Sequence, residues 1–361
     1  MNKDFRIVFM GTPSFAVQSL LSLIKAGYQV AGVVTAPDKP SGRGRKILPS
    51  PVKQCALENG IPVLQPEKLK DPGFIRELKK LNPDLQVVVA FRMLPEVVWE
   101  LPPSGTINLH ASLLPQYRGA APINWAIING EKITGITTFF IRHDIDTGNI
   151  ILQEKLDISP DETAGELHDR LMMSGASLVE ETVGKIILGN VTTIDQRDLI
   201  EERIELKKAP KIFTEDCRIK WNEKVDQIYN FIRGLSPFPG AWSEWQKEDG
   251  DILFLKIFTA QKETIDSPRS KLRGIIDPLY KFLIALANPA ASYGECARRI
   301  HPIHSPGTII TDYKTQLEIA ATDGYITILN LQQAGKKRMD VAEFLRGIKD
   351  LEDYALVPPG D

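Results

Sequence analysis

The chain has 361 residues, of which 43% are hydrophobic and 25% charged, and its net charge at pH 7 is −2. This length accommodates two domains with sizeable cores. The near-neutral balance excludes a globally basic nucleic-acid binder, so any nucleic acid has to be held by a local patch.

A strand-like run, Phe5–Met10, begins directly after Met1-Asn2-Lys3-Asp4, a pattern without the n-region and h-region of a signal peptide. The turn Gly11-Thr12-Pro13 follows, then a helix that Ser14 should cap and Gly27 should stop. Gln29–Thr35 reads as the next strand, and 36–50 as a long loop carrying Lys39, Arg43, Arg45 and Lys46. Ser50-Pro51 supplies N-cap and first-turn residues for another helix. Leu85–Phe91 has the nearly unbroken apolar character of a central parallel strand. Strands near 106–110, 135–141 and 150–154, a helix around 121–129 and a long helix over roughly 163–188 continue the alternation. Such alternation predicts an open α/β sheet, whose sites gather at the carboxyl ends of strands.

The pattern changes after about residue 207. A helix over Trp221–Gly234 and short alternating runs at Ile252–Phe258, Gly307–Thr311, Gln316–Ala320 and Tyr325–Leu331 predict a smaller β-barrel. The expected division is a catalytic domain over 1–206, a barrel over 207–347 and a flexible tail over 348–361. The longest apolar run, Ile275 to Ala287, is broken by Asp277, Pro278 and Lys281 and falls short of the ~20 residues of a membrane helix. Cys55, Cys217 and Cys296 are odd in number and widely spaced, which favours a reducing compartment and small-hydrophobe roles. A cytoplasmic protein without a metal centre is expected.

The chemistry concentrates in Gly105–Pro115. In a strand, Asn108 and His110 share one face while Ile107 and Leu109 take the other. Asp146 follows 36 positions after His110. Amide, imidazole and carboxylate together provide an oxyanion donor, a proton carrier and a group to orient it, which is what acyl-type transfer requires. Asp146-Thr147-Gly148 also matches an aspartic-protease triplet, but no second triplet supplies the partner carboxylate. Gly11-Thr-Pro-Ser-Phe lacks the spaced glycines of a dinucleotide turn. His143 and His168 read as packing or solvent-facing residues.

Asn108-Leu-His110, Ser112-Leu-Leu-Pro115 and Asp146 resemble the signature of the 10-formyltetrahydrofolate-dependent formyltransferases. The longer run Ser112–Trp125 is similar to the branch of that family acting on methionyl-tRNA, as are Phe9–Phe15, Pro37–Arg45, Ser236–Ala241 and Gly335–Met339. The resemblance implies a Rossmann-like, mostly parallel open sheet with helices on both faces, followed by an OB-like barrel. It also implies formyl transfer from 10-formyltetrahydrofolate to initiator methionyl-tRNA by a monomer, with Asn108, His110 and Asp146 catalytic. By the same resemblance, Phe91, Met93, Leu94, Ser112, Leu113, Leu114, Pro115 and Asp144 would surround the folate. Gly11, Thr12, Pro13, Phe15, Lys39, Arg43, Arg45, Lys46, Lys336, Lys337 and Arg338 would face the aminoacyl-tRNA. Two departures stand out: Arg92, where many relatives carry a small residue, and the interval of about 263–305, which relatives cross in fewer residues. Rival readings are a formyltransferase acting on a sugar nucleotide or other small amine, and a non-catalytic RNA-binding protein.

Overall fold

Residues 4–41, 46–200, 205–264 and 304–357 are described by a computed structural model, and they group into two units. Of the described residues, the first comprises those within 1–123, 132–160 and 166–211, and the second those within 124–131, 161–165 and from 212 onward. Most of the interval 263–305, with Cys296, Arg43 and Arg45, lies outside the described residues, as does the side chain of Lys46.

In the first unit, β1 (Arg6–Gly11) and β2 (Gln29–Val34) precede a small hairpin of β3 (Lys39–Ser41) and β4 (Lys46–Leu48). Then come β5 (Val63–Leu64), β6 (Leu85–Val89), β7 (Thr106–His110), the short β8 (Arg118–Gly119), β9 (Ile133–Phe140), β10 (Ile150–Asp157) and β11 (Lys208–Ala209). Seven of these form one sheet in the order β10-β9-β7-β6-β1-β2-β5, in which β9 alone runs against its neighbours. The helices are α1 (Phe15–Lys25), α2 (Pro51–Glu58), α3 (Pro72–Lys80), α4 (Glu96–Trp99), α5 (Pro122–Ile128) and α6 (Ala164–Ile187).

Strand parity explains how helices cover both faces. Val8, Met10 and Val88 turn toward α3 and α4, packing with Phe74, Leu78 and Val98. On the opposite face, Leu109 lies so close to Gly175 of α6 that a Cβ there would come within 2.7 Å of it, and Gly11 is similarly pressed on Ala16 of α1. This is the Rossmann-like α/β arrangement, with His110 as the final residue of β7.

In the second unit, α7 (Val225–Gly234) is followed by β12 (Ala241–Lys247), β13 (Ile252–Thr264), β14 (Ile309–Thr311), β15 (Leu317–Ala320), β16 (Gly324–Gln333) and β17 (Met339–Asp340). After α8 (Val341–Arg346), β18 (Tyr354–Leu356) closes the run. The antiparallel order β14-β15-β16-β13-β12-β18 wraps into a near-closed OB-like barrel. Ala241, Ser243 and Trp245 point inward and alternate with outward residues, and the Trp221 and Trp245 indoles both donate to the buried Ser243 hydroxyl.

Four local expectations change. Ser14 is helical and caps nothing with its side chain, because the turn Ala16 N to Pro13 O starts the helix one residue earlier. Part of the basic loop is a hairpin. Besides the short runs expected for the barrel, Ala241–Lys247 forms a further barrel strand, β12. Finally, the expected flexible tail is ordered as far as Val357: Leu351 is fully buried, and β18 pairs antiparallel with Trp245–Lys247.

Candidate active site

β7 is an interior strand, hydrogen-bonded to β6 on one side and β9 on the other, so its end is rigidly placed. Asn108 sits beside Val88 in register, half-buried, and its amide has no hydrogen-bond partner among the described residues. His110 is 6% exposed. Its Nε2 lies 2.9 Å from the carbonyl oxygen of Tyr117. A carbonyl only accepts, so Nε2 carries the hydrogen and Nδ1 is left for chemistry. Nδ1 faces Asp146 Oδ2 at 3.8 Å.

Asp146 reaches that position by an indirect route. Because β9 is antiparallel to β7, the loop that follows β9 starts near Thr106, whose carbonyl accepts from Ile141 N–H. The chain must then fold back along β7 to present the carboxylate at His110. It does so with Asp146 in the left-handed region, φ 54°. Gly119 N–H donates to Asp146 Oδ2 at 3.1 Å. Tyr117, whose carbonyl orients the imidazole, is also left-handed, φ 58°. Two strained non-glycine residues thus flank one imidazole, the kind of clustering typical of functional sites.

The segment 116–121 is stitched to the chain at 205–209. β8 pairs with β11, Tyr117 N–H donates to Lys207 O, and the Gln116 side chain bonds the backbone of Glu205 and Lys207. A second network holds Ser112–Pro115. Thr137 Oγ1 donates to Ser112 O and accepts from Leu114 N–H and from Gln153, which also bonds Leu114 O. Sequence reasoning does not single out Thr137, Gln153, Arg118 or Gln196. Only Arg118 carries a signal there, by its place in the Ser112–Trp125 run.

The other expected site residues fall into two groups. Leu94 and Leu114 are buried in apolar clusters, Leu113 packs on Gly135, and Ser112 is fully buried with its hydroxyl on Gln116 O. Phe91 is half-buried against the α3–α4 core, and Pro115 is buried. Gly11 is required by close packing, Thr12 Oγ1 accepts from Ala36 N–H, and Phe15 is buried edge-on to His168 at 5.2 Å. By contrast Met93, Asp144, Pro13, Lys39, Lys336 and Lys337 are exposed. Arg338 stacks over Phe258 and bonds Asn330. Arg92 turns from the loop face to grip Pro66 O and Glu67 O, at 2.8 and 3.0 Å. Lys53 of α2 is paired with Asp38, whose carboxyl that hydrogen bond holds below its ordinary range.

A hollow of about 470 Å³, lined by Leu64, Gln65, Pro66, Glu67 and Phe74 among others, contains none of the expected site residues. Burial pushes the Cys55 thiol up and the Cys217 thiol to about 11, which keeps both in the unreactive form. Among the described residues, no three metal-ligating side chains converge, and no helix is long and apolar enough to cross a membrane.

The sequence pattern of the formyl transferase family matches residues 5–183, and that of the formyl transferase C-terminal domain matches residues 211–349. A methionyl-tRNA formyltransferase of Parabacteroides distasonis is 49% identical, across 98% of this chain and 99% of its own. One from Flavobacterium johnsoniae is 49% identical, across 96% and 97%. Among solved structures, WlaRD, a sugar 3N-formyl transferase crystallised with dTDP and 5-N-formyl-THF, shares the fold at a TM-score of 0.57 and 19% identity, covering 92% of this chain and 99% of WlaRD. The identity and the near-complete coverage of both chains place this chain in the methionyl-tRNA formyltransferase family.

Proposed function

We propose that Asn108, His110 and Asp146 are the residues with which this enzyme transfers the formyl group of 10-formyltetrahydrofolate to the amino group of methionine on initiator methionyl-tRNA. The observation that carries the assignment is the placement of His110: Nε2 is spent on the Tyr117 carbonyl while Nδ1 opens toward Asp146, on the strand face that Asn108 shares. The methionine nitrogen attacks the formyl carbon and a tetrahedral oxyanion forms. The Asn108 amide, free of other partners among the described residues, donates to that oxygen. Asp146 and His110 Nδ1 accept and relay the proton that leaves the amine. The C–N bond to the folate nitrogen then breaks, and that nitrogen takes the proton. Loss of one oxyanion donor typically costs about 3–4 kcal/mol in barrier.

The geometry refines one expectation. His110 serves the reaction through Nδ1 alone, since its Nε2–H is held by backbone. Of the residues proposed around the folate, those on Ser112–Pro115 present mainly backbone, because three of the four side chains are buried. The exposed Lys39, Lys336 and Lys337 serve as phosphate contacts for tRNA in this proposal, with Arg43, Arg45 and Lys46 beside Lys39 in the chain. The enzyme acts as a cytoplasmic monomer.

The test is formyl transfer from 10-formyltetrahydrofolate to charged initiator tRNA, with Asp146→Asn beside the unaltered enzyme. A turnover loss of about three orders of magnitude in a folded variant is expected by analogy with other preorganised charged groups. Near-normal turnover removes Asp146 from the mechanism.

A further inference from the structure

We propose that Gln196 is a positioning residue for formyl transfer, holding the Asp146 loop and the Arg118 segment in one register so that carboxylate and imidazole meet; this rests on the catalytic reading of Asp146. Gln196 is 1% exposed, and its amide is completely used. Nε2 donates to the carbonyls of Asp146 and Gly148, at 2.9 and 2.8 Å. Oε1 accepts from Arg118 Nε and Nη2, at 3.0 and 2.6 Å. A primary amide has two N–H groups and two lone pairs, so this one site satisfies all four.

The two sides of that amide fix different halves of the same geometry. One side holds the backbone of Asp146 itself. The other holds Arg118, between Tyr117, whose carbonyl sets the His110 tautomer, and Gly119, whose N–H meets the Asp146 carboxylate. Asp146 and Tyr117 both occupy left-handed backbone conformations that persist only where their surroundings enforce them. The Gln196 side chain bonds both stretches. It also satisfies a guanidinium that burial disfavours without adding a charge that would compete with Asp146 for it.

Gln196 is held independently of its amide. Its turn is capped by the Asp195 carboxylate on Arg197 N–H, and Ile194 forms a two-bond bridge with Ile150. Removing the amide therefore leaves the turn in place while releasing the two loops.

The experiment compares Gln196→Met, which keeps length and loses all four bonds, with Gln196→Glu, which keeps the acceptors and loses both donors to the loop carbonyls. Both are measured with full-length enzyme, 10-formyltetrahydrofolate and charged initiator tRNA, each also in an Asp146→Asn background by single-turnover kinetics. The expected result is a fall in kcat of about 10- to 100-fold in both variants, since an ångström of misplacement costs about that much. KM for both substrates should stay within about threefold, and the same substitutions should cost less than about threefold once Asp146 is Asn. Should Gln196→Met not fold, Gln196→Glu carries the test. A folded variant with kcat within twofold of the parent overturns the proposal, as does a rise in KM with kcat kept, or an equal loss in both backgrounds. Full activity of Asp146→Asn alone overturns the underlying assignment, and is read separately.

Discussion

Gly148 offers a direct test of whether the register of the Asp146 loop sets the rate. A Cβ built on Gly148 overlaps the Phe140 carbonyl oxygen, lies 2.8 Å from that carbonyl's carbon and 3.1 Å from Phe139 Cδ2. The obstruction is backbone and cannot rotate away. Phe140 N–H is also bonded to Asn149 O at 3.0 Å, and Gln196 holds Gly148 O, so the loop has no slack. Gly148→Ala must therefore part the two segments by ~1–2 Å two residues from the carboxylate, a displacement that costs on the order of 100-fold in rate. The overpacking itself costs about 1–3 kcal/mol, which a chain of this size survives folded. Gly189→Ala is the control: it has φ +69° and nothing within 4 Å of the added carbon, so it brings about 1 kcal/mol of backbone strain and no steric displacement. Initial rates at saturating folate and tRNA, with a melting temperature for each variant, separate the effects. We expect Gly189→Ala to melt lower with unchanged kcat, and Gly148→Ala to lose about two orders of magnitude. A Gly148→Ala kcat within threefold of the parent refutes the claim that this loop's backbone positions Asp146.

Thr137→Val deletes the hydroxyl that satisfies Ser112 O, Leu114 N–H and Gln153, and each buried group left orphaned costs about 1–3 kcal/mol; urea unfolding should show it, and an unchanged midpoint would deny the network its role. Tyr229 donates to Asp161 at 2.7 Å, and burial together with that bond pushes its phenol up to about 12. A raised folded value means the stabilisation is complete below the ordinary 10.0 and fades as pH climbs toward about 12, so Tyr229→Phe should lose that alkaline limb. Identical alkaline unfolding curves for the two proteins contradict this. For tRNA, replacing Lys336 and Lys337 by Ala should reduce the slope of log affinity against log salt by about 0.7–0.9 for each phosphate that is no longer neutralised; a slope that does not move assigns these exposed lysines no phosphate.

What is readable from sequence is what depends on short-range pattern. Val87, Val88 and Val89 announce a strand covered on both faces, and period-two alternation puts Asn108 and His110 together whatever surrounds them. The tail escapes for the opposite reason. Tyr354-Ala-Leu356 is too short to show a period, and it is a strand only because the edge of β12 is there to pair with. Gln196 is the extreme case: its partners lie 78, 50 and 48 residues away, and its own neighbourhood is a polar turn like any other. A side chain acting through the carbonyls of other segments leaves no local mark, whereas a residue acting on substrate comes with a chemically distinctive type. The sequence therefore exposes the reacting groups more readily than the groups that aim them. Here the aiming depends on a carbonyl at 117, an N–H at 119 and an amide at 196, and only the last is a side chain that substitution can remove. That asymmetry is why Gln196 is the informative position: it allows the aim of the Asp146–His110 pair to be changed while the pair itself is kept.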